Sequence, residues 1–140
     1  MSKEPLQSHD ISVRVRYSET DAMGYLHHAN HINYFEMGRT ELLRAQGGNY
    51  REMEEQGFFL VVIRIDCDYK TPAKYDDLLT VRTCVGKQSA AKIEFEHTVF
   101  RGDQILAKGR TVLACIDKEG HVQRLTDVLP QFQGASPQDS

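Results

Sequence analysis

Asn30-His31-Ile32-Asn33-Tyr34-Phe35-Glu36-Met37-Gly38-Arg39-Thr40-Glu41-Leu42-Leu43-Arg44-Ala45-Gln46 is the stretch whose reading decides the fold. At 100° per residue, His31, Phe35, Gly38, Leu42 and Ala45 fall on one stripe, and Ile32, Tyr34 and Leu43 widen it. Glu36, Thr40 and Arg44 mark the opposite side. The spacing predicts a helix over 30–46 that other structure wraps over much of its surface. Asn30 can cap it through its side-chain oxygen, and Gly47-Gly48 stops it. A shorter helical piece over 50–56 follows.

The flanking sequence is strand-like. Before the helix, Ile11-Ser12-Val13-Arg14-Val15-Arg16-Tyr17 alternates strictly, as a strand with one buried face does. Residues 18–24 close on Gly24 and read as a loop. After the helix, residues 61–70 form a second strand that Pro72 ends. Residues 79–85 give a third and 93–99 a fourth, with a hairpin turn over 101–104. Residues 105–117 give a fifth, and 122–125 a short extension beyond a turn at 118–120. One strand, one long helix and then a run of strands argue α+β, with one antiparallel sheet of about five strands around a central helix.

The 140 residues fit one domain over 10–130, with flexible ends at 1–9 and 131–140. A net charge of −3 gives no footing for nucleic acid or an anionic membrane. No apolar run approaches a membrane span, and the polar start has no signal-peptide core. Cys67, Cys84 and Cys115 are odd in number and widely spaced; they read as reduced packing residues of a cytoplasmic protein.

The densest cluster of reactive groups is Tyr17-Ser18-Glu19-Thr20-Asp21-Ala22-Met23-Gly24-Tyr25-Leu26-His27-His28-Ala29-Asn30, between the first strand and the helix. A helix start offers unpaired N–H donors and a positive dipole end, which can hold an oxyanion. A carboxylate beside it can attack a carbonyl or activate water. Asp21 is the candidate, with Tyr17 and His28 flanking it. Each also has a plain reading: Asp21 as a turn residue bonding the backbone, Tyr17 as a rim aromatic, His28 as a polar residue at a helix entrance. His27 and His31 are four apart, which on a helix presents two metal ligands. With His28 they form the alternative of a metal-dependent hydrolase. Against it, His31 lies on the apolar stripe and His27 can precede the helix. Cys84 has no adjacent base, and no Gly-x-Ser-x-Gly elbow is present. Glu36 and Arg39 are spaced as an i, i+3 surface pair.

Tyr17 to Arg39 reads Tyr-x-x-x-Asp-x-x-Gly-x-x-x-His-x-Asn-x-x-x-Tyr-Phe-Glu-x-x-Arg, and residues 66–77 read Asp-Cys-Asp-Tyr-Lys-Thr-Pro-Ala-Lys-Tyr-Asp-Asp. Together they resemble the acyl-CoA thioesterase family that includes 4-hydroxybenzoyl-CoA thioesterase and the Tol–Pal-associated thioesterases. The likeness spans about residues 11–116. It implies a hotdog fold and a homodimer or homotetramer with active sites at the subunit interface. It also implies hydrolysis of acyl-CoA or related thioesters without metal or other cofactor. By position Asp21 matches the catalytic carboxylate, and Tyr17 and His28 match residues flanking it in the Tol–Pal-associated branch. A non-hydrolytic acyl-CoA-binding module, or a hydratase, stays open as a different class. Lys70, Lys74, Lys87, Lys92, Arg101, Lys108 and Arg110 are unassigned candidates for the CoA phosphates.

Overall fold

The structure, a computed structural model, describes residues 7–128. The elements are β1 (Ser8–Arg14), a 3-10 turn (Tyr17–Glu19), α1 (His28–Ala45), α2 (Tyr50–Glu55), β2 (Phe58–Tyr69), β3 (Leu78–Gln88), β4 (Lys92–Arg101), β5 (Gln104–Asp117), β6 (Val122–Gln123) and α3 (Leu125–Val128). All paired strands are antiparallel, in the order β1-β3-β4-β5-β2, with β6 pairing β5. This is the α+β architecture expected, with α1 lying against one face of the sheet.

Several boundaries differ. β1 begins at Ser8, so Ser8 and His9 belong to the sheet and not to a flexible end. It ends at Arg14, and Tyr17 opens the 3-10 turn instead of closing the strand. Residues 1–6 and the expected tail at 131–140 lie outside the described residues. α1 starts at His28, not Asn30, because His27 is its cap: His27 Nδ1 accepts the Ala29 N–H at 3.2 Å. Asn30 is bonded elsewhere, its Nδ2 donating to Glu19 O at 2.9 Å and its Oδ1 accepting from Asn33 Nδ2 at 3.1 Å. The helix stops as expected. Gly47, at φ +93°, donates to Arg44 O, and Gly48 donates to Leu43 O. This paired geometry needs a residue at ease with positive φ.

His31, Tyr34, Phe35, Gly38, Leu42 and Leu43 face the sheet. Ala45 does not; it is exposed at the last turn. The expected surface pair of Glu36 and Arg39 is absent among the described residues. Arg39 is only 6% exposed, and its Nε has no hydrogen-bond partner. Its guanidinium lies near Tyr50, whose hydroxyl burial pushes up to about 12, with the Arg39 charge pulling the other way.

The core has two parts under the two halves of α1. Tyr34 and Phe35 pack with Val13, Val15, Leu79, Val81, Val99 and Leu106. Leu42 and Leu43 pack with Met53, Ile93, Phe95, Leu113 and Leu125. A buried polar row on adjacent strands is also covered by the helix. Thr83 Oγ1 bonds His97 Nδ1 at 3.1 Å, and His97 Nε2 bonds Thr111 Oγ1 at 2.9 Å. The Phe35 ring stacks on His97 at 4.5 Å. Gly38 and Gly109 allow this approach, since a Cβ on either would overlap Thr83 Oγ1 or the Phe35 ring.

β2 is the long outer strand. Among the described residues it pairs only with β5, and a register shift between Val62 and Arg64 interrupts its alternation. Val62, Ile63 and Ile65 are exposed there, while Cys67 packs inward on the core.

Candidate active site

The loop between the 3-10 turn and α1 is held from three sides. Thr20 bridges Leu26, and Tyr25 bridges Lys74 in the segment after β2. Leu26 N–H donates to Ala73 O at 2.8 Å, and His27 N–H donates to Glu19 O at 2.9 Å. Glu19 is the anchor. Its buried carboxylate accepts the Arg16 N–H at 2.8 Å and the Tyr34 hydroxyl at 2.9 Å. Burial alone would push that carboxyl up; the bonds from Arg16 and Tyr34 outweigh it and hold it below the ordinary value. The same burial, with the Glu19 bond, pushes the Tyr34 phenol up.

Within this frame Asp21 sits on the turn that Gly24 closes at φ +79°. Its Oδ1 accepts the N–H groups of Met23 at 2.8 Å and Tyr25 at 3.1 Å. That is the turn role expected of an Asp. Oδ2 has no hydrogen-bond partner among the described residues, and the side chain is exposed. Asp21 and His28 line one cleft of about 260 Å³ together with Tyr25, Leu26, His31, Tyr69, Lys70, Thr71 and Pro72.

His28 is the first residue of α1. Of the N–H groups at this helix start, Ala29's goes to the His27 ring and Asn30's to His27 O. The His28 N–H has no partner among the described residues. Its imidazole stacks on His27 at 4.3 Å and meets Tyr69 edge-on at 6.4 Å. The Tyr69 hydroxyl donates to His28 O at 2.9 Å, tying the end of β2 to the first turn of the helix.

Tyr17 is not brought into this cleft. It is 78% exposed, with its ring against Tyr75 at 5.7 Å in a T arrangement. His27 spends Nδ1 on capping, and His31 is buried on the helix's inner side. The three histidines therefore do not converge as ligands. Among the described residues, the group that does converge is Asp117, Glu119 and His121 on the exposed β5–β6 turn. Cys84 lies against Ser8 Oγ at 3.3 Å, away from the cleft, and all three cysteines are unbridged. Of the seven basic residues considered for CoA, Lys70 lines the cleft, whereas Arg101 pairs with Asp77 and Arg110 with Glu94.

Three participants escaped the sequence reading. Glu19 looked like one more polar loop residue. Tyr69 looked like part of a strand alternation. His31 was read only as a core residue or a metal ligand. The signal for Glu19 was present in principle, since an acidic side chain within a turn can bond the backbone N–H three residues earlier.

An antiparallel sheet of five main strands and the short β6, packed on one long helix with a carboxylate loop and an open helix start at one end, defines a hotdog-type domain. The chain belongs to the thioesterase-like superfamily, which matches residues 15–135. The acyl-CoA thioesterase YbgC of Haemophilus influenzae is 41% identical over 106 residues, covering 75% of this chain and 78% of that protein. Among solved structures, the DHNA-CoA thioesterase of Staphylococcus aureus superposes with a TM-score of 0.85 at 28% identity, over 89% of this chain and 85% of that one. The BH1999 gentisyl-coenzyme A thioesterase superposes with a TM-score of 0.82 over 87% and 99%; at 17% identity it carries the fold alone. The chain is an enzyme of the thioester-hydrolysing kind.

Proposed function

We propose that this chain hydrolyses acyl-CoA thioesters to the free acid and CoA, with Asp21 as the attacking or water-activating carboxylate. The observation that carries the reading is the pairing of two unused groups around one cleft. Among the described residues Asp21 Oδ2 has no hydrogen-bond partner, and neither does the His28 N–H at the start of α1. One supplies attack and the other receives the developing negative charge. Water adds hydroxide to the acyl carbon, the C–S bond breaks, and the remaining proton goes to the thiol. The same carboxylate could instead attack directly, with water then cleaving the anhydride; either order uses the same oxygen.

His28's ring, beside the reacting carbonyl, orients substrate or water. Tyr17 enters as a rim residue that meets substrate only where a second subunit completes the site. Lys70 is the cation at the cleft for a CoA phosphate. The chemistry assigned here needs no metal. Chelation is expected to leave turnover unchanged.

Two copies paired through β2 would cover the exposed Val62, Ile63 and Ile65 and the open row of backbone groups on that strand. We therefore place the enzyme as a homodimer or homotetramer, with the cleft finished by the partner. Among the described residues no helix is long and apolar enough to cross a membrane. The three unbridged thiols fit a reducing cytoplasm.

A thiol-release assay over acyl-CoAs from short aliphatic to long-chain and aromatic tests the activity. Release from at least one class is expected. Binding without release from any CoA or acyl-carrier-protein thioester would replace the enzyme with an acyl-CoA-binding module. Light scattering tests the assembly, and a monomer at micromolar concentration would contradict it.

A further inference from the structure

Arg39 is a cation without a counter-ion. It is only 6% exposed on α1, yet no carboxylate pairs with it among the described residues. Of its nitrogens only Nε is sealed without a hydrogen-bond partner; the two terminal ones remain open. An arginine is almost never buried this deeply unpaired, because the charge loses its hydration and gains nothing in return. Glu36 is the complementary case. It is an exposed carboxylate one turn earlier on the same helix, and it too enters no ion pair among the described residues. Ile32, Glu36, Arg39 and Leu43 share a stripe at 100° per residue. The charges of Glu36 and Arg39 both act on the Tyr50 hydroxyl, which opens α2. The two side chains therefore stand on one side of α1, toward α2, without pairing with each other.

That side of the helix borders an uncovered strip of sheet. On β2, Val62 stands opposite Leu113 and Ile65 opposite Thr111. Leu113 and Thr111 are buried on the helix side of the sheet, and directly opposed residues share a face. Val62 and Ile65 face the same way, yet they are 40% and 38% exposed. Edge pairing of two copies through β2, about a two-fold axis, sets a second α1 antiparallel to the first across this strip. At a two-fold interface, residue i meets residue j and j meets i. Two residues one turn apart meet crosswise when the axis passes between them. We infer that Glu36 of each copy pairs with Arg39 of the other, so that each buried guanidinium gains its carboxylate only in the dimer. This rests on the assembly proposed above.

The test mixes two full-length variants. The Glu36→Arg chain carries cations at both positions, and the Arg39→Glu chain carries carboxylates at both. Alone, each sets like charges together, within the chain and across the axis alike. Mixed, they make two opposite-charge pairs, but only between chains. Dimer dissociation constants are read by analytical ultracentrifugation over a dilution series. Each variant alone is expected to dissociate at least about tenfold more readily than the wild type, and the equimolar mixture to return close to it. A mixture that dissociates as readily as the single variants overturns the inference, since a pair made within one chain is not repaired by mixing. Should Arg39→Glu not fold, Glu36→Gln and Arg39→Met are measured singly and together. Each is expected to weaken the dimer by at least about tenfold, with the double variant no weaker than the single ones. Additive losses, or none, overturn the inference. A wild type that stays monomeric at micromolar concentration overturns the assembly reading and the inference together. A tight dimer indifferent to these substitutions overturns the inference alone.

Discussion

Tyr69 donates its hydroxyl to the backbone oxygen of His28 across 2.9 Å, joining the end of β2 to the first turn of α1. The bond fixes one wall of the cleft to the helix start that the proposed chemistry uses. Tyr69→Phe keeps the ring and removes the bond. A net loss of about 0.5–1.5 kcal/mol is expected, at the low end because Tyr69 is half exposed. In a domain of this size that is a fall of a few degrees in Tm, about 2–4 °C per kcal/mol. kcat should drop severalfold with little change in KM, read by steady-state kinetics beside a thermal melt.

Glu19 holds the Asp21 loop from beneath. Glu19→Ala leaves the buried Tyr34 hydroxyl and the Arg16 N–H without their acceptor, a cost of about 1–3 kcal/mol. Urea unfolding should show the loss, and activity measured well below the melting temperature should fall with it. Because this carboxyl lies below its ordinary value, its contribution is full above the unfolded value near 4.5 and disappears as pH falls through the folded one.

Acid should act on the two buried histidines over a different range. Burial, aided by the Arg39 charge, pushes His97 down to about 3, and His31 lies at about 4. Both stay neutral in the fold, whereas the unfolded chain takes up protons near 6.5. Stability therefore declines as pH falls below 6.5, by about 1.4 kcal/mol per pH unit for each histidine. The decline from His31 ends near pH 4 and that from His97 near pH 3. Chemical unfolding at stepped pH should give this slope, and His97→Gln should make it shallower between pH 6 and 4.

Gly109→Ala should be poorly tolerated, since the added Cβ overlaps the Phe35 ring on a neighbouring layer. Overpacking of this kind costs about 1–3 kcal/mol. Gly38→Ala meets Thr83 Oγ1 in the same way. Gly102→Ala is a useful contrast, because no atom lies within 4 Å of its Cβ and its positive φ is the sole strain. Thermal melts of the three variants check the order: Gly102→Ala should be the mildest.

Most of the fold was legible because its periods are clean. The alternation of Ile93, Phe95, His97 and Val99 is the alternation of the buried face of β4. The stripe through His31, Phe35, Gly38 and Leu42 is the inner face of α1. Boundaries failed where a side chain competed for a backbone group. His27 caps the helix with a ring nitrogen, which a preference for Asn, Asp, Ser or Thr caps does not anticipate. Arg39 was placed on the surface because a charge is ordinarily solvated, whereas here it is buried against α2. The Asp21–His28 cluster was legible from chain proximity. Tyr69 was not, nor was the choice of Lys70 among the seven basic candidates, because pairing in the sheet is what brings the end of β2 to the helix start.

The most direct test of the account is kcat for Asp21→Asn, measured by thiol release with the best acyl-CoA of the panel. Asn keeps an oxygen for the Met23 and Tyr25 N–H groups, so the turn survives. What it loses is the negative charge on Oδ2, the oxygen with no hydrogen-bond partner among the described residues. kcat is expected to fall by at least about a hundredfold, the scale of a positioned acid–base group, with KM little changed. Near-normal turnover by Asp21→Asn would contradict the account.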